Sequence, residues 1–262
     1  MNSITVVKCG GSTVNKLTAE FFKSIASMKE KGMNPVLVHG GGPEINRMLE
    51  QMQIECEFVN GLRKTTPEVL EVAEMILSGK VNKFLVSSLQ SAGSPAFGMS
   101  GIDGGLLEAE QVADQDLGLV GNVVNVNTSC IYSMLESGFV PVIAPIAADK
   151  NGKKLNVNAD AAASAVAQAI GAKELLFITD VEGVLIDGSK ADYIHVEKLE
   201  QHIQDGEIYG GMIPKVQAAA ASLTGDLEKV IIAGADGHTD EAGGKLKGTA
   251  IIREQVQAPS LT

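Results

Sequence analysis

Short apolar runs rich in β-branched residues alternate along this chain with segments of helical periodicity, and this alternation limits the possible fold more than any other feature. Runs that lack a polar alternation are typical of strands buried on both faces of a sheet. Repetition of strand and helix in one chain predicts an α/β fold, with a mainly parallel sheet and helices on both sides. The predicted strands are Ile4–Val7, Val36–Val38, Val140–Ile143, Leu175–Ile178 and Val230–Ile232.

Helices are indicated by apolar stripes together with signals at their ends. In the first helix, Thr18 is placed to cap the amino end and Gly32 to end the helix. The second begins at Pro43, because proline is favoured in a first helical turn. An alanine-rich helix follows at Ala161–Ala169, whereas the glycine-rich stretch Met99–Asn127 predicts hairpins over a cleft.

Composition excludes several classes of protein. The formal net charge is -11, without the basic stripe of a general nucleic-acid binder. Cys9, Cys56 and Cys130 are odd in number and far apart, which favours buried free thiols over disulfides or a zinc site. The first residues do not resemble a signal peptide, and no run of about 18 apolar residues could span a membrane. We therefore expect a cytoplasmic protein with no nucleic-acid or membrane partner.

The first predicted strand runs directly into Lys8, and Gly10, Gly11 and Ser12 follow it. A lysine at the carboxyl end of a buried strand lies at the edge where open α/β sheets bind ligands. Glycines after it let backbone N–H groups approach phosphate oxygens. The alternative is a simple glycine turn with an exposed lysine, and this segment alone does not decide between the two.

A second glycine turn, Gly40–Gly42, joins the next strand to a helix. Three glycines before a helix form an anion-binding nest, because free N–H groups and the positive end of the helix dipole point at the ligand. The chain has neither the GxxxxGK[ST] pattern of a P-loop nor the GxGxxG pattern of a dinucleotide site. His39 has no metal-ligand spacing around it and is interpreted as structural rather than catalytic.

Two further segments carry polar side chains at turns and strand ends. Arg63 precedes a helix that Thr66 could cap, and its guanidinium could hold a carboxylate through two hydrogen bonds. The alternative is a solvated surface arginine. Strand alternation places Asn156, Asn158 and Asp160 on one side of an extended segment. For Asp160 the alternative is capping of the helix that follows.

The second half of the chain repeats these features. Lys215 lies in the first turn of a predicted helix whose amino end attracts anions. Thr179–Val184 is a strand end that runs into a turn, which predicts the edge of a nucleotide pocket. For Asp180 the alternative is an ordinary turn residue. Alternation of strand and helix resumes at about Lys173 without a linker, so we expect two lobes that share one continuous sheet.

Six motifs in this order resemble the amino acid kinase family over nearly the whole chain: KCGGS, VHGGGPEIN, NGLRKTT, LNVNAD, FITDVEGV and GGMIPKV. Each motif is weak alone, and their order and spacing make the resemblance specific. HGGGPEIN followed by GLR and LNVNAD is most similar to the members that phosphorylate N-acetyl-L-glutamate, rather than to uridylate, carbamate, glutamate or aspartate kinases.

The resemblance implies an αβα sandwich around a mainly parallel sheet, with an acetylglutamate-binding lobe at 1–172 and an ATP-binding lobe at 173–262. It implies transfer of phosphate from ATP to the side-chain carboxylate of N-acetyl-L-glutamate, an early step of arginine biosynthesis. Mg²⁺ would be held mainly by the ATP phosphates. Because the first strand begins by Ile4, the chain is similar to the dimeric members that arginine does not inhibit, and a homodimer is expected.

The resemblance also implies roles for individual residues. Lys8 and Lys215 would hold the transferring phosphoryl group, and Asp160 would orient both lysines. The residues expected to bind acetylglutamate are Gly41, Gly42, Arg63, Asn156 and Asn158. The residues expected to bind ATP are Gly10, Gly11, Thr179, Asp180, Val181, Glu182, Gly183, Val184, Glu207, Ile208, Tyr209 and Gly211.

Three rival functions stay open at this point. They are a kinase of the same fold with another acceptor, a nucleotide-binding protein without turnover and, more remotely, a hydride-transfer enzyme. The kinase hypothesis has a physical rationale: a carboxylate acceptor is already ionised at neutral pH and needs no general base. It needs cations to offset its repulsion from the triphosphate, and the motifs supply cations and N–H donors.

Overall fold

A computed structural model of the 262-residue chain describes residues 3–237 and 246–253. Its strands are β1 Ile4–Cys9, β2 Asn34–His39, β3 Phe58–Val59, β4 Leu62–Arg63, β5 Ala96–Ser100, β6 Leu107–Gln111, β7 Val120–Val126, β8 Val140–Ala144, β9 Ile146–Ala148, β10 Lys154–Val157, β11 Glu174–Thr179, β12 Leu185–Ile186, β13 Ser189–Lys190, β14 Tyr193–His195, β15 Lys229–Gly234 and β16 Gly248–Ile252. Its α-helices are α1 Ala19–Glu30, α2 Gly42–Gln51, α3 Pro67–Glu74, α4 Asn82–Ser91, α5 Thr128–Glu136, α6 Ala159–Ala169, α7 Val196–Gln204 and α8 Met212–Ser222. A π-helical segment, Met75–Val81, joins α3 to α4.

Within the described residues, eight strands form one central sheet in the order β14-β16-β15-β11-β1-β2-β8-β5. Every neighbouring pair is parallel except β15 and β16. Because β1 and β11 are hydrogen-bonded neighbours, the strands before and after residue 173 occupy two halves of the same sheet. The prediction of a mainly parallel, continuous sheet is confirmed. Parts of the predicted second lobe, 238–245 and 254–262, lie outside the described residues.

Helices cover both faces of this sheet, as the apolar strands require. Consecutive residues of β1 point to opposite faces, so Val6 belongs to a core with α6 and α8, whereas Val7 belongs to a core with α1 and α4. Both side chains are fully buried. The αβα sandwich of the α/β class is therefore confirmed. No helix in the described ranges combines the length and hydropathy needed to cross a bilayer.

The five predicted strands all lie inside observed strands of the central sheet. Thr18 caps α1, since its side-chain oxygen accepts a hydrogen bond from the backbone N–H of Phe21. Thr66 caps α3 in the same way through Val69. The second helix begins at Gly42, one residue before the predicted start at Pro43.

The glycine-rich middle of the chain only partly matches its prediction. Strands β6 and β7 do form an antiparallel hairpin, which closes with β9 and β10 into a small four-stranded barrel. Met99 and Ser100 instead belong to β5, the strand that pairs with β8 at the edge of the central sheet. The predicted hairpin region therefore starts too early. The barrel matters for the site, because its strand β10 carries Asn156, which lines one cavity together with Lys8 and Gly11.

All three cysteines are free thiols, as predicted, but only Cys9 is buried. Burial raises the pKa of the Cys9 thiol to about 12, against a smaller opposite influence of Lys8. Cys56 and Cys130 are partly exposed, so the prediction of buried thiols is wrong for these two.

Candidate active site

The two glycine turns lie side by side because β1 and β2 are parallel neighbours that end at the same edge of the sheet. Their backbones are so close that a Cβ atom on Gly11 would lie 2.6 Å from the Gly42 nitrogen and 2.8 Å from the Gly41 nitrogen. Gly41 is the amino-terminal cap of α2, where helical N–H groups lack intrahelical partners. The two turns therefore place N–H donors and a helix amino end at one place, which suits an anion.

Lys8 projects from the end of β1 into this edge. Its ammonium group lies 2.7 Å from Asp160 Oδ1, and only 13% of its side chain is exposed. The same group lies 5.4 Å from the centre of the Phe177 ring, a cation–π contact. The alternative of an exposed lysine in a simple turn is therefore wrong.

Asp160 is the second residue of α6, and it does not cap this helix. The cap is Asn158, whose Oδ1 accepts hydrogen bonds from the backbone N–H groups of Asp160, at 2.8 Å, and Ala161, at 3.2 Å. Because Asn158 accepts the hydrogen bonds of these N–H groups, the Asp160 carboxylate is available to pair with Lys8. The alternative of an Asp160 cap is wrong.

Lys215 enters the same region from the first turn of α8. Its ammonium group pairs with the Asp180 carboxylate, which follows β11. Lys215 is the first cause of the lowered pKa of Asp180. The structure thus assigns Asp160 to Lys8 and Asp180 to Lys215, so the expectation that Asp160 orients both lysines is not met here. Asp180 is more than an ordinary turn residue.

Three adjoining cavities follow the carboxyl edge of the sheet. The first cavity contains Gly41, Gly42, Arg63, Asn156 and Asn158, all predicted to bind one ligand. The second cavity is lined by both lysines and by Asp160 and Asp180. The first and second cavities share Lys8, Ser12 and Asp160, and the second and third share Asp180. Two lysines that are 207 positions apart in the sequence therefore line a single cavity.

Arg63 is buried in the wall of the first cavity, so the alternative of a solvated surface arginine is wrong. The hairpin of β3 and β4 pairs it with Phe58, whose ring centre lies 4.7 Å from the guanidinium carbon. One terminal nitrogen donates to the Gly42 carbonyl at 3.2 Å, and the other donates to the Cys56 sulfur. Burial lowers the pKa of Arg63, and Cys56 partly offsets this effect. These contacts orient the guanidinium and leave other N–H groups for a ligand.

Asn156 and Arg63 are linked through Thr65. The Asn156 side-chain nitrogen donates to Thr65 Oγ1 at 3.1 Å, and this hydroxyl donates to the Arg63 carbonyl at 2.8 Å. Thr65 is fully buried. The sequence interpretation missed Thr65, Phe58 and Cys56 as supports of this site, because each acts through a neighbour brought close only by folding.

The third cavity contains most of the predicted ATP-binding residues. It is lined by Asp180–Gly183 and by the segment Glu207–Tyr209. Thr179 and Gly10 line the second cavity, and Gly11 lines the first. Val184 is fully buried in the core, and Gly211, the cap of α8, lines none of the three. The Glu207 carboxylate contacts His202 Nδ1.

His39 is fully buried and lines none of these three cavities. Its Nδ1 lies 3.1 Å from the Gly40 carbonyl, which can only accept, so Nδ1 carries the proton, and the Asn82 side-chain nitrogen lies 3.2 Å from Nε2. Burial lowers the pKa of His39 to about 4. A neutral, hydrogen-bonded ring in the core confirms the structural interpretation.

Comparison with known proteins gives one consistent result. The family model described as "Amino acid kinase family" matches residues 3–234. Proteins named acetylglutamate kinase from Geobacillus sp. (strain WCH70) and Geobacillus kaustophilus (strain HTA426) are 51% and 50% identical, over 97% of this chain and 98% of each of theirs. A similar protein from Bacillus velezensis, with the same name, is 46% identical over 97% of this chain and 98% of its own.

Solved structures share the fold. The crystal structure of smu.665 from Streptococcus mutans UA159 superposes with a TM-score of 0.83 at 31% identity, and covers 97% of this chain and 100% of its own. Carbamate kinase from Giardia lamblia bound to AMP-PNP superposes with a TM-score of 0.69, over 97% of this chain and 99% of its own. Its identity is 19%, so this second likeness concerns the fold alone.

Proposed function

The chain belongs to the amino acid kinase family, and from that premise we propose that it transfers the γ-phosphoryl group of ATP to the side-chain carboxylate of N-acetyl-L-glutamate. The products are N-acetyl-L-glutamyl 5-phosphate and ADP, and the reaction is an early step of arginine biosynthesis. Relatives at 46–51% identity over nearly their whole length are named for this activity. The observation that carries the assignment is the second cavity, which Lys8 and Lys215 both line and which adjoins the first cavity on one side and the third on the other.

Electrostatic stabilisation is the main contribution that these residues make to the reaction. The acceptor carboxylate, with a reference pKa of about 4.3, reaches the cavity already ionised. It must approach the γ-phosphate against strong repulsion, which Lys8 and Lys215 offset from two sides of one cavity. As the phosphoryl group moves, charge on its oxygens is stabilised by these ammonium groups and by N–H groups of Gly11 and Gly41. A general base is not needed.

The first cavity provides the groups that acetylglutamate needs. Its α-carboxylate would bind Arg63, whose planar fork of N–H donors matches two carboxylate oxygens. The amide of Asn156 and the N–H groups of Gly41 and Gly42 would hold the remaining polar atoms. Since Lys8 lines both the first and second cavities, an acceptor bound there has its reactive end beside the phosphate.

The third cavity would hold the nucleotide, with Asp180 at its junction with the second. ATP enters in this proposal as its Mg²⁺ complex, in which the ion neutralises part of the phosphate charge. Asp160 and Asp180 line the phosphate region, and carboxylates of this kind contact Mg²⁺ together with phosphate oxygens. Arrival of phosphate oxygens would draw Lys215 away from Asp180.

The roles of the two lobes follow from this arrangement. We propose that 1–172 binds the acceptor and 173–262 binds the nucleotide, since the first cavity belongs to the former range and the third to the latter. A homodimer in the cytoplasm stays a prediction, to be tested by light scattering of the purified chain and by its cellular distribution.

The proposed reaction is tested directly by trapping the acyl phosphate. The purified chain is incubated with ATP, Mg²⁺ and N-acetyl-L-glutamate in hydroxylamine, and the hydroxamate is measured with ADP release. We expect both products in equal amounts. Parallel assays with glutamate, aspartate, carbamate and uridylate should give little product. Faster turnover of one of these acceptors would reassign the substrate, and ATP binding without any turnover would favour a sensor.

Arg63→Lys is expected to raise the KM for acetylglutamate about tenfold or more, with a smaller change in kcat. Lysine keeps the charge but loses the bidentate geometry and the contacts to Gly42 and Cys56. Steady-state kinetics with acetylglutamate varied at saturating ATP gives the result. Lys64→Arg is the matched control, because Lys64 is adjacent but pairs with Glu57 at the surface. An unchanged KM would remove Arg63 from the acceptor site.

Cys56→Ala is expected to raise the same KM about three- to tenfold, because Arg63 loses one of its orienting partners. Cys56→Ser retains a polar atom at this place and should recover most of the affinity. Cys130→Ala, which changes another partly exposed thiol, should leave the kinetics unchanged. The three variants are compared by KM for acetylglutamate and KM for ATP. Equal effects of Cys56→Ala on both constants would argue against a role through Arg63.

A further inference from the structure

The Glu44 carboxylate binds three side chains, two of which come from other segments of the chain. One oxygen accepts from Asn15 Nδ2 at 2.9 Å, and the other accepts from Lys80 Nζ at 2.5 Å and from Arg47 Nη2 at 3.1 Å. Only 14% of the Glu44 side chain is exposed, although Arg47 and Lys80 are about half exposed. Glu44 lines none of the three cavities described above, so it is placed to act on the site through its neighbours.

Two of the segments joined by Glu44 directly follow the glycine turns along the chain. Asn15 belongs to the 3₁₀ turn Val14–Lys16, which begins three residues after Gly11. Glu44 itself lies in the first turn of α2, directly after Gly42 and Pro43. One carboxylate therefore connects the segment after the first glycine turn to the segment after the second.

Lys80 connects the same carboxylate to the π-helical segment Met75–Val81. Leu77 and Val81 of this segment cover Gly41, since a Cβ on Gly41 would lie 2.7 Å from Leu77 Cδ2 and 3.2 Å from Val81 Cγ2. A π-helical turn between α-helices is uncommon and is often found at functional sites. In this structure the π-helical segment places Lys80 at Glu44, and it places Leu77 and Val81 against Gly41.

We propose that Glu44 is a positioning residue for phosphoryl transfer, which fixes the distance between the two glycine turns. This inference rests on the proposed function, in which Gly11 and Gly41 contact the phosphate, and Gly42, together with Gly41, contacts the acceptor. An in-line transfer depends on this distance, because a displacement of about 1 Å can cost about 100-fold in rate. No direct contact of Glu44 with either substrate is required.

The arrangement has features that distinguish it from an ordinary surface ion pair. Isolated exposed pairs contribute little, whereas three partners on one partly buried carboxylate can hold its geometry. Hydrogen bonds from Lys80, Asn15 and Arg47 lower the pKa of Glu44 to about 2, against the opposing effect of burial. Glu44 is therefore ionised throughout the pH range of an enzyme assay, and its own titration should not shape the pH profile.

The test compares Glu44→Gln and Glu44→Ala with Asn15→Ala and with the double variant Asn15→Ala/Glu44→Ala. Glu228→Gln is the control, because Glu228 forms an exposed pair with Lys173 away from the glycine turns. For each protein, kcat, the KM for acetylglutamate and the KM for ATP are measured, together with the thermal unfolding midpoint. ATP binding, measured by calorimetry, shows that the third cavity is intact.

We expect Glu44→Ala to lower kcat at least tenfold while the KM for ATP changes less than twofold. Glu44→Gln keeps an acceptor for Asn15 and should lose less. The effects of Asn15→Ala and Glu44→Ala on kcat should not add in the double variant, because both remove the same connection. If Glu44→Ala does not fold, Asn15→Ala and Lys80→Ala remove exposed partners and should each lower kcat three- to tenfold.

Two results would overturn the inference. One is a kcat within twofold of the unchanged chain in Glu44→Ala, or in Asn15→Ala and Lys80→Ala where Glu44→Ala does not fold. The other is strictly additive effects in the double variant. An unchanged chain that forms no acyl phosphate would instead reject the proposed function, and with it the role of Glu44. Normal turnover of the unchanged chain with normal kcat in the variants would reject the role of Glu44 alone.

Discussion

Replacing Lys8 or Lys215 by alanine is expected to lower kcat about 10²- to 10³-fold, by analogy with removal of one donor from an oxyanion hole. Both ammonium groups line the second cavity, where the phosphoryl group would move between two anions. Loss of either one leaves negative charge without a neighbour to offset it in the transition state. In free-energy terms the expected loss is about 3–4 kcal/mol.

The two variants should differ in a second respect. Lys8→Ala leaves Asp160 without its partner at 2.7 Å, beside the first cavity as well as the second. An unpaired carboxylate there repels the acceptor, so the KM for acetylglutamate should rise together with the fall in kcat. Lys215 does not line the first cavity. Lys215→Ala should therefore leave that KM nearly unchanged.

The measurement is hydroxamate formation at saturating substrates, with circular dichroism to show that each variant is folded. Lys198→Ala is the control, because Lys198 is an exposed residue of α7 that lines none of the three cavities. Near-normal turnover in both Lys8→Ala and Lys215→Ala would remove the two lysines from the mechanism. It would also remove the observation on which the assignment of this cavity depends.

Gly11→Ala is the second substitution for which we expect a large effect, with kcat lowered about 100-fold. The added Cβ would lie 2.6 Å and 2.8 Å from backbone nitrogens of Gly42 and Gly41, and backbone atoms cannot move aside as a flexible side chain can. The two glycine turns must separate, which moves the phosphate donors relative to the acceptor groups. Overpacking of this kind also destabilises a fold, typically by about 1–3 kcal/mol.

Gly79→Ala provides a matched control for this prediction. Gly79 lies in the π-helical segment near the site, and an added Cβ would have no heavy atom within 4 Å. It should keep kcat within about twofold of the unchanged chain, because no contact of the site changes. Thermal unfolding and kcat are measured for both variants. A Gly11→Ala protein with normal kcat would show that the spacing of the turns does not limit the reaction.

Much of the architecture could be predicted because local pattern and global fold agree. Ile4–Val7 and Leu175–Ile178 are apolar runs typical of strands in the middle of a sheet with helices on both sides. Parallel strands end at one edge, so Lys8 and Asp180, which lie at the ends of these strands, were expected at the same edge, and the pairing of β1 with β11 brings them into one cavity. The charged residues of the site could be recognised in the sequence because they lie at the carboxyl ends of predicted strands.

The pairing of side chains could not be predicted in this way. Whether Lys215 pairs with Asp160 or Asp180 depends on distances between α6, α8 and the end of β11, which no spacing in the sequence fixes. The burial of Arg63 could not be predicted either, because its partners, Gly42 and Phe58, come from a helix amino end and a hairpin strand.

The edge strand β5 was misread for a related reason. Gly98 in its centre is typical of a loop, and the stretch after it contains more glycine. In the folded chain a Cβ at Gly98 would lie 1.9 Å from Asn82 Oδ1, so glycine is required by close packing of α4 against the strand. Asn82 in turn binds His39 and the Val142 carbonyl. Glycine at position 98 therefore reflects its contact with Asn82, which the sequence alone does not show.

Substrate loading in this molecule cannot occur through a freely swinging hinge. Strands β1 and β11 are held in one ladder from Thr5 to Cys9, so the half that would bind the nucleotide and the half that would bind the acceptor share backbone hydrogen bonds. Separating them as rigid bodies would break that ladder in the middle of both cores. A change of the cleft width is therefore expected to come from twisting of the sheet and from the loops at its rim.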